Sequence, residues 1–242
     1  MIAPPWPAPV ADGPVHATVR LPGSKSQTNR ALVLSALGTQ PCTLVSPLRS
    51  RDTALMADGL RAMGTHIEDS GDDWQVEPRP LHGPVEVGVG NAGTVMRFLP
   101  PVAALADGEV RFDGDARARD RPMAPIVTAL RCLGVDIEAP HNRLPLTVYG
   151  RGWVLGGSVV IDASLSSQFV SALLLAAPRF ADAFEVRHEG GRLPSGAHID
   201  MTVEMLRGAG AIVEHVDNHT WRVEPGPLHV ARHVVEPDLS NA

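Results

Sequence analysis

The chain has 242 residues, 44% of them hydrophobic, and a formal net charge of −6 at pH 7. That length can bury a sizeable core as one large domain or two smaller ones, and the acidic balance excludes a general nucleic-acid surface while leaving room for a local basic pocket. Two cysteines, Cys42 and Cys132, make no disulfide framework and read as small core residues in a reduced, cytoplasmic setting.

The first fourteen residues hold five prolines and no basic stretch ahead of an apolar one, so they read as a loose leader rather than a targeting segment. The longest apolar helical run, 169–177, is too short to span a bilayer. A strand-like run, Ala17 to Leu21, then leads into the turn Pro22-Gly23-Ser24-Lys25-Ser26 and a helical run from Arg30 to Leu37. A second strand is predicted over Cys42–Val45. Ser50-Arg51-Asp52 caps a helix over Thr53–Met63, with Gly64 at its C′ position, and strands His66–Glu68 and Trp74–Glu77 close a first unit of about 15–78.

A second unit, about 84–150, repeats this order. Strand Val85–Val89 enters the turn Gly90-Asn91-Ala92-Gly93-Thr94 and a helix; strand Val110–Phe112 leads through Arg119-Asp120-Arg121 to a helix over Met123–Leu133, with Pro122 expected at its first position and Gly134 at its end. Strands Val135–Glu138 and Leu146–Tyr149 finish it. The third unit, about 158–224, runs from strand Val159–Ile161 through Ser164-Leu165-Ser166-Ser167-Gln168 into a helix ending at Ala177. Strand Phe184–Val186, Leu193-Pro194-Ser195, a helix over Ile199–Ala209, Gly210, and strands Ala211–Glu214 and Trp221–Glu224 follow. The three helix-ending glycines stand 70 and 76 residues apart, each three residues after a Leu-Arg pair (Leu60-Arg61, Leu130-Arg131, Leu206-Arg207). Three βαβαββ units in one domain is the simplest account.

Each unit places a small polar turn at the start of its first helix. There the unpaired N–H groups and the positive helix end favour an anion. A lone turn of this kind reads as an ordinary N-cap. Three of them, related by approximate threefold symmetry and joined by Lys25, Arg30 and Arg121, describe a site for more than one anionic group. Other readings fail. Gly23-Ser24-Lys25-Ser26 lacks the P-loop spacing, and no G-x-G-x-x-G follows a strand. His215/His219 and His229/His233 have a helical metal spacing in sequence that is not helical, so no metal is expected. Ser195 has no acid–base neighbours that would make it a nucleophile.

The signatures Leu21-Pro22-Gly23-Ser24-Lys25-Ser26-x-x-Asn29-Arg30 and Gly90-Asn91-Ala92-Gly93-Thr94-x-Met96-Arg97 resemble those of the 5-enolpyruvylshikimate-3-phosphate synthases, with Arg121-Pro122, Ser166-Ser167-Gln168-Phe169 and Leu193-Pro194-Ser195 in the expected order. The resemblance implies an enolpyruvyl-transferase-type domain, half of an inside-out α/β barrel. It implies transfer of the enolpyruvyl group of phosphoenolpyruvate to the 5-hydroxyl of shikimate 3-phosphate. The methylene is protonated, the hydroxyl attacks C2, and the tetrahedral intermediate loses phosphate; no cofactor is implied.

By position, Ser166, Ser167 and Ser195 would hold the phosphate of shikimate 3-phosphate, and Ser26 and Arg30 its carboxylate. Lys25 would stand between the substrates as the catalytic cation. Gly93 and Arg121 would face the phosphate of phosphoenolpyruvate, with Asn91 and Thr94 shaping that turn or serving only as turn and cap residues. Gln168 would reach the reaction centre or the shikimate ring. His198 stands where many members carry Tyr, and Phe98 where many carry Pro.

The family's members are nearly twice as long, with two similar domains. The expectation is therefore a monomeric N-terminal domain: leader and hinge strand 1–22, globular part 23–236, and the start of a crossover at 237–242. Its missing C-terminal partner domain would supply further catalytic groups, so the fragment should bind but not turn over. No membrane or nucleic-acid partner is expected. The rival reading is a non-catalytic anion-binding module of the same fold.

Overall fold

The structure is a computed structural model that describes residues 6, 7, 9–19 and 21–241. Its architecture follows from two kinds of helix. Helices α1 (Lys25–Ala36), α3 (Gly93–Ala103) and α6 (Gln168–Ala176) bury nearly every residue, from Thr28 to Ala36, Thr94 to Ala103 and Phe169 to Ala176. A helix without a polar face has to be covered on all sides, and these three pack against one another at the centre of the molecule. Helices α2 (Arg51–Ala62), α5 (Ala124–Cys132) and α7 (Gly196–Gly208) bury one stripe each and lie outside them. A single turn, α4 (Ala116–Arg119), is an element that the sequence pattern does not announce.

The strands form three separate four-stranded sheets. Strands β4 (Val85–Gly88), β5 (Asp107–Asp113), β6 (Asp136–Glu138) and β7 (Leu146–Arg151) are ordered β4-β5-β7-β6. Strands β8 (Gly157–Ile161), β9 (Phe184–His188), β10 (Val213–Asp217) and β11 (Thr220–Val223) repeat that order as β8-β9-β11-β10. Each begins with a parallel pair and continues antiparallel. Alternation along β3 (Asp73–Glu77), β5 and β9 turns one sheet face to the helices and leaves the other in water. Helices inside, sheets outside and no closed barrel among the described residues make this an inside-out α/β domain of three similar repeats, the second and third of them βαβαββ in chain order.

The first repeat is closed differently from the sequence expectation. Ala17–Val19 and Leu21 form no strand, and Arg20 lies outside the described residues. The position held by β4 and β8 in the other sheets is taken by β12 (Arg232–Val234), which pairs in parallel with β1 (Cys42–Val45). The order of this sheet is β12-β1-β3-β2, with β2 spanning His66–Ser70. The chain beyond β12 then passes the opening turn: Ser24 N–H donates to Glu236 O at 2.8 Å and Asp238 N–H to Pro22 O at 2.9 Å. Pairing is non-local here, so no periodicity near residue 17 could reveal it.

Two further expectations change. Pro122 does not open α5, whose N-cap is Met123; Pro125, inside the first turn, has the tolerated position instead. Cys132 is exposed rather than in the core, on the outer side of the last turn of α5, whereas Cys42 is buried and its thiol pKa is pushed up by that burial. The glycine-ended helices match expectation closely. Gly64, Gly134 and Gly210 have φ of 112°, 79° and 91°. In each, the glycine N–H and that of the next residue return to the last-turn carbonyls of the Arg and the Leu, which is the Schellman arrangement.

Candidate anion-binding site at three helix N-termini

Three turns open the three central helices, and side chains of their first two turns bond one another across repeats. Asn29 Nδ2 on α1 donates to Thr94 Oγ1 on α3 at 2.7 Å. Arg97 Nη1 on α3 donates to Gln168 Oε1, the first residue of α6, at 2.7 Å and to Ser166 Oγ at 3.1 Å. Arg30 on α1 donates from Nη2 to Ser171 Oγ on α6 at 3.2 Å. The N-terminal ends of α1, α3 and α6 therefore converge, and their unpaired N–H groups and dipoles share one region.

Around that region stand four cations with different surroundings. Lys25, the first residue of α1, is partly exposed and pairs with Asp52 of α2 at 3.2 Å. Arg121, ahead of α5, anchors Nη1 on Asn91 O at 2.7 Å. Its guanidinium lies against Gly93, where a Cβ would overlap Arg121 Nη2 and stand 3.2 Å from Gln168 Oε1. Only glycine admits that approach. Arg97 is 5% exposed, and its Nε is buried without a partner. Burial, and then the charge of Arg121, push its pKa down to about 10. Asn91 Oδ1 is also buried and unpartnered. A cluster of guanidinium groups with orphaned polar atoms is stabilised by an anion.

Arg30 is buried where α1, α6 and α7 meet. It is 1% exposed. Its Nε donates to Thr202 Oγ1 at 2.7 Å, Nη1 to Ser26 O at 3.0 Å, and Nη2 also to His198 O at 3.0 Å. Its guanidinium lies 5.2 Å from the Phe98 ring centre. Burial lowers its pKa to about 10, so it stays charged at neutral pH. Arg30 thus ties α1 to α6 and α7, and most of its fork is engaged within the protein.

The serines sit on the third repeat. Ser166 Oγ accepts from Arg97 and from Gln168 N–H; Ser167, buried, is the N-cap of α6 and makes no side-chain cap bond. Ser195 is exposed as the N-cap of α7 with φ 54° and likewise makes no side-chain cap bond. His198, one turn along α7, has a pKa below the ordinary 6.5 because of burial and then the charge of Arg30. Sequence reasoning assigned no role to Arg97, Asn29, Ser171 or Thr202. For Arg97 a signal was present: a charged residue inside the apolar run Val95-Met96-Arg97-Phe98-Leu99 has to be buried with a purpose.

Three repeated units around a buried helical triad, with the candidate site at the triad's N-terminal end, define a domain of the enolpyruvyl-transferase class. Solved structures agree. EPSP synthase from Acinetobacter baumannii matches with a TM-score of 0.79 and 24% identity over 92% of this chain and 50% of that one. The enolpyruvyl transferase NikO from Streptomyces tendae matches with a TM-score of 0.68 and 17% identity over 93% of this chain and 52% of that one. The family model described as EPSP synthase (3-phosphoshikimate 1-carboxyvinyltransferase) matches residues 10–242, and the chain belongs to that family. It spans about half the length of the solved structures it matches.

Proposed function

We propose that this domain binds shikimate 3-phosphate at the convergent helix ends and serves enolpyruvyl transfer from phosphoenolpyruvate to it. The observation that carries the reading is the cross-repeat bonding of the first turns of α1, α3 and α6 beside Lys25, Arg30, Arg97 and Arg121. Ser166, Ser167 and Ser195 receive the phosphate of the sugar-like substrate. Ser26 faces its carboxylate, to which Arg30 contributes mainly through its charge. Gly93, Arg121, Asn91 and Thr94 form the turn for the phosphate of phosphoenolpyruvate. Thr94 accepts from Asn29 and keeps its own hydroxyl hydrogen to donate.

Gln168 lies between the two subsites: Arg97 holds its Oε1, so the amide NH2 is directed elsewhere. Lys25 balances charge as C2 is attacked and phosphate leaves. The transfer needs a proton delivered to the methylene carbon and another removed from the 5-hydroxyl. Those steps are assigned to a partner domain, and this half is assigned binding without turnover, as a monomer in the cytoplasm.

Calorimetric titration of shikimate 3-phosphate and then of shikimate tests the reading. Binding that requires the phosphate is expected. Binding of neither by the folded chain would overturn the assignment and return the non-catalytic module to the front. The retained set of cations around one anion site is what argues against that module.

A further inference from the structure

The three serines of the proposed phosphate subsite lie on two separate segments of the third repeat. Residues 162–167 follow β8, and residues 190–195 precede α7; neither is helix or strand. Something must fix their spacing, because a phosphate held from two sides is sensitive to displacements of about an ångström.

Between the segments stands His188, the last residue of β9 and 5% exposed. Its Nδ1 accepts the Ala163 N–H at 3.1 Å, and its Nε2 lies 2.8 Å from Gly191 O. A peptide N–H can only donate and a peptide carbonyl can only accept. The ring is therefore a neutral imidazole with its hydrogen on Nε2. One ring thus grips both segments, each through its backbone. His219 packs edge-on at 5.7 Å between ring centres.

The segments also touch directly. A Cβ on Gly190 would overlap Asp162 Oδ1 and stand 2.8 Å from Ser164 Oγ, and one on Gly191 would stand 3.2 Å from Ser164 Oγ. Asp162 Oδ1 in turn accepts Ser164 N–H at 2.8 Å, and Glu189 N–H donates to Ile161 O at 3.0 Å. The parallel pairing of β8 with β9 brings the segments side by side, the glycine pair lets them meet, and His188 fastens them.

We propose that His188 is a positioning residue that clamps the 162–167 and 190–195 segments, sets the distance between Ser166-Ser167 and Ser195, and so makes the site select a phosphorylated ligand over its dephosphorylated counterpart. The clamp rests on the proposed function for its ligand but not for its geometry, and the experiment separates the two. Amide hydrogen exchange is measured on the wild-type chain, on His188→Leu, which removes both bonds, and on His188→Gln, whose amide can accept from one backbone group and donate to the other. Exchange should accelerate in both segments in His188→Leu and recover in His188→Gln.

On the same proteins, affinity for shikimate 3-phosphate should fall at least tenfold in His188→Leu while affinity for shikimate stays the same. Acceleration in one segment only, or in neither, overturns the clamp. Equal losses for the two ligands overturn its role in selectivity. If the wild type binds neither ligand, the proposed function fails and exchange alone decides the clamp. Should His188→Leu not fold, the nitrogen shifts of the wild-type ring decide: the Nε2–H neutral form supports the clamp, and a ring protonated on Nδ1 contradicts it.

Discussion

Arg30 shows how burial changes the meaning of a residue. In the chain it is one cation of an anion-binding turn; in the fold it is a strut that donates to Thr202, Ser171 and the His198 carbonyl, groups that also bond one another. Arg30→Ala should cost roughly 3 kcal/mol of stability, since truncating a large, fully buried side chain to Ala costs about 2–5 kcal/mol through the cavity it leaves. A urea midpoint unchanged by the substitution would contradict that. Gly93→Ala probes binding more cleanly. The new Cβ displaces Arg121 from its place against the turn, so affinity for phosphoenolpyruvate or inorganic phosphate should drop at least tenfold with little change in melting temperature. His198 and His233 both have pKa values lowered by burial, opposed at His233 by the charge of Glu236. The unfolded chain then takes up protons first as the pH falls. Their contribution to stability is whole above the ordinary value of 6.5 and declines as pH falls through the folded values. Urea midpoints measured from pH 8 down to 5 should decrease, and a midpoint that rises on acidification would refute the assignment. Residue types and spacing located the turns that open the three central helices. They could not show Arg97 bonded to Gln168 or His188 bridging two segments, because those contacts join positions that only the fold brings together.

At the scale of elements, the Leu-Arg pair ahead of each helix-ending glycine proves to be a device with two parts. The backbone closes in a Schellman turn, and the arginine side chain reaches the carbonyl six residues on: Arg61 Nε to Ile67 O at 2.9 Å, Arg131 Nη2 to Ile137 O at 3.0 Å and Arg207 Nε to Val213 O at 3.1 Å. Each outer helix is thereby tied to the strand that follows it. The glycine is readable from its position, whereas the reach of the arginine to the next strand depends on a contact that only the fold creates. At Gly134 an added Cβ would meet nothing within 4 Å, so only the left-handed backbone resists substitution. Gly134→Ala should cost about 1–2 kcal/mol, read from the unfolding midpoint; a neutral result would mean that the turn relaxes freely. Strand β12 completes the first sheet through Thr43 N–H to Ala231 O and Val235 N–H to Val45 O, both at 3.0 Å. Truncation before Arg232 should speed amide exchange across residues 42–45 while leaving β5 and β9 protected. Equal protection before and after truncation would show that β12 is dispensable.

At the scale of the molecule, the fold places three buried helices inside three amphipathic sheets, and the candidate site is the meeting point of those helices' positive ends. The repeat order was legible because each unit carries its own helix start, glycine stop and strand pattern. The closure of the first repeat by a strand some two hundred residues away was not, since a three-residue strand has no period to read. The central claim is that one anion site is assembled from all three repeats. The most direct test follows backbone amide resonances during a titration with shikimate 3-phosphate. Signals of Ser26 in the first repeat, residues 91–94 in the second and residues 166–168 in the third should shift together and saturate at one common dissociation constant. Shifts confined to one repeat, or spread over exposed Lys and Arg residues without saturation, would contradict it.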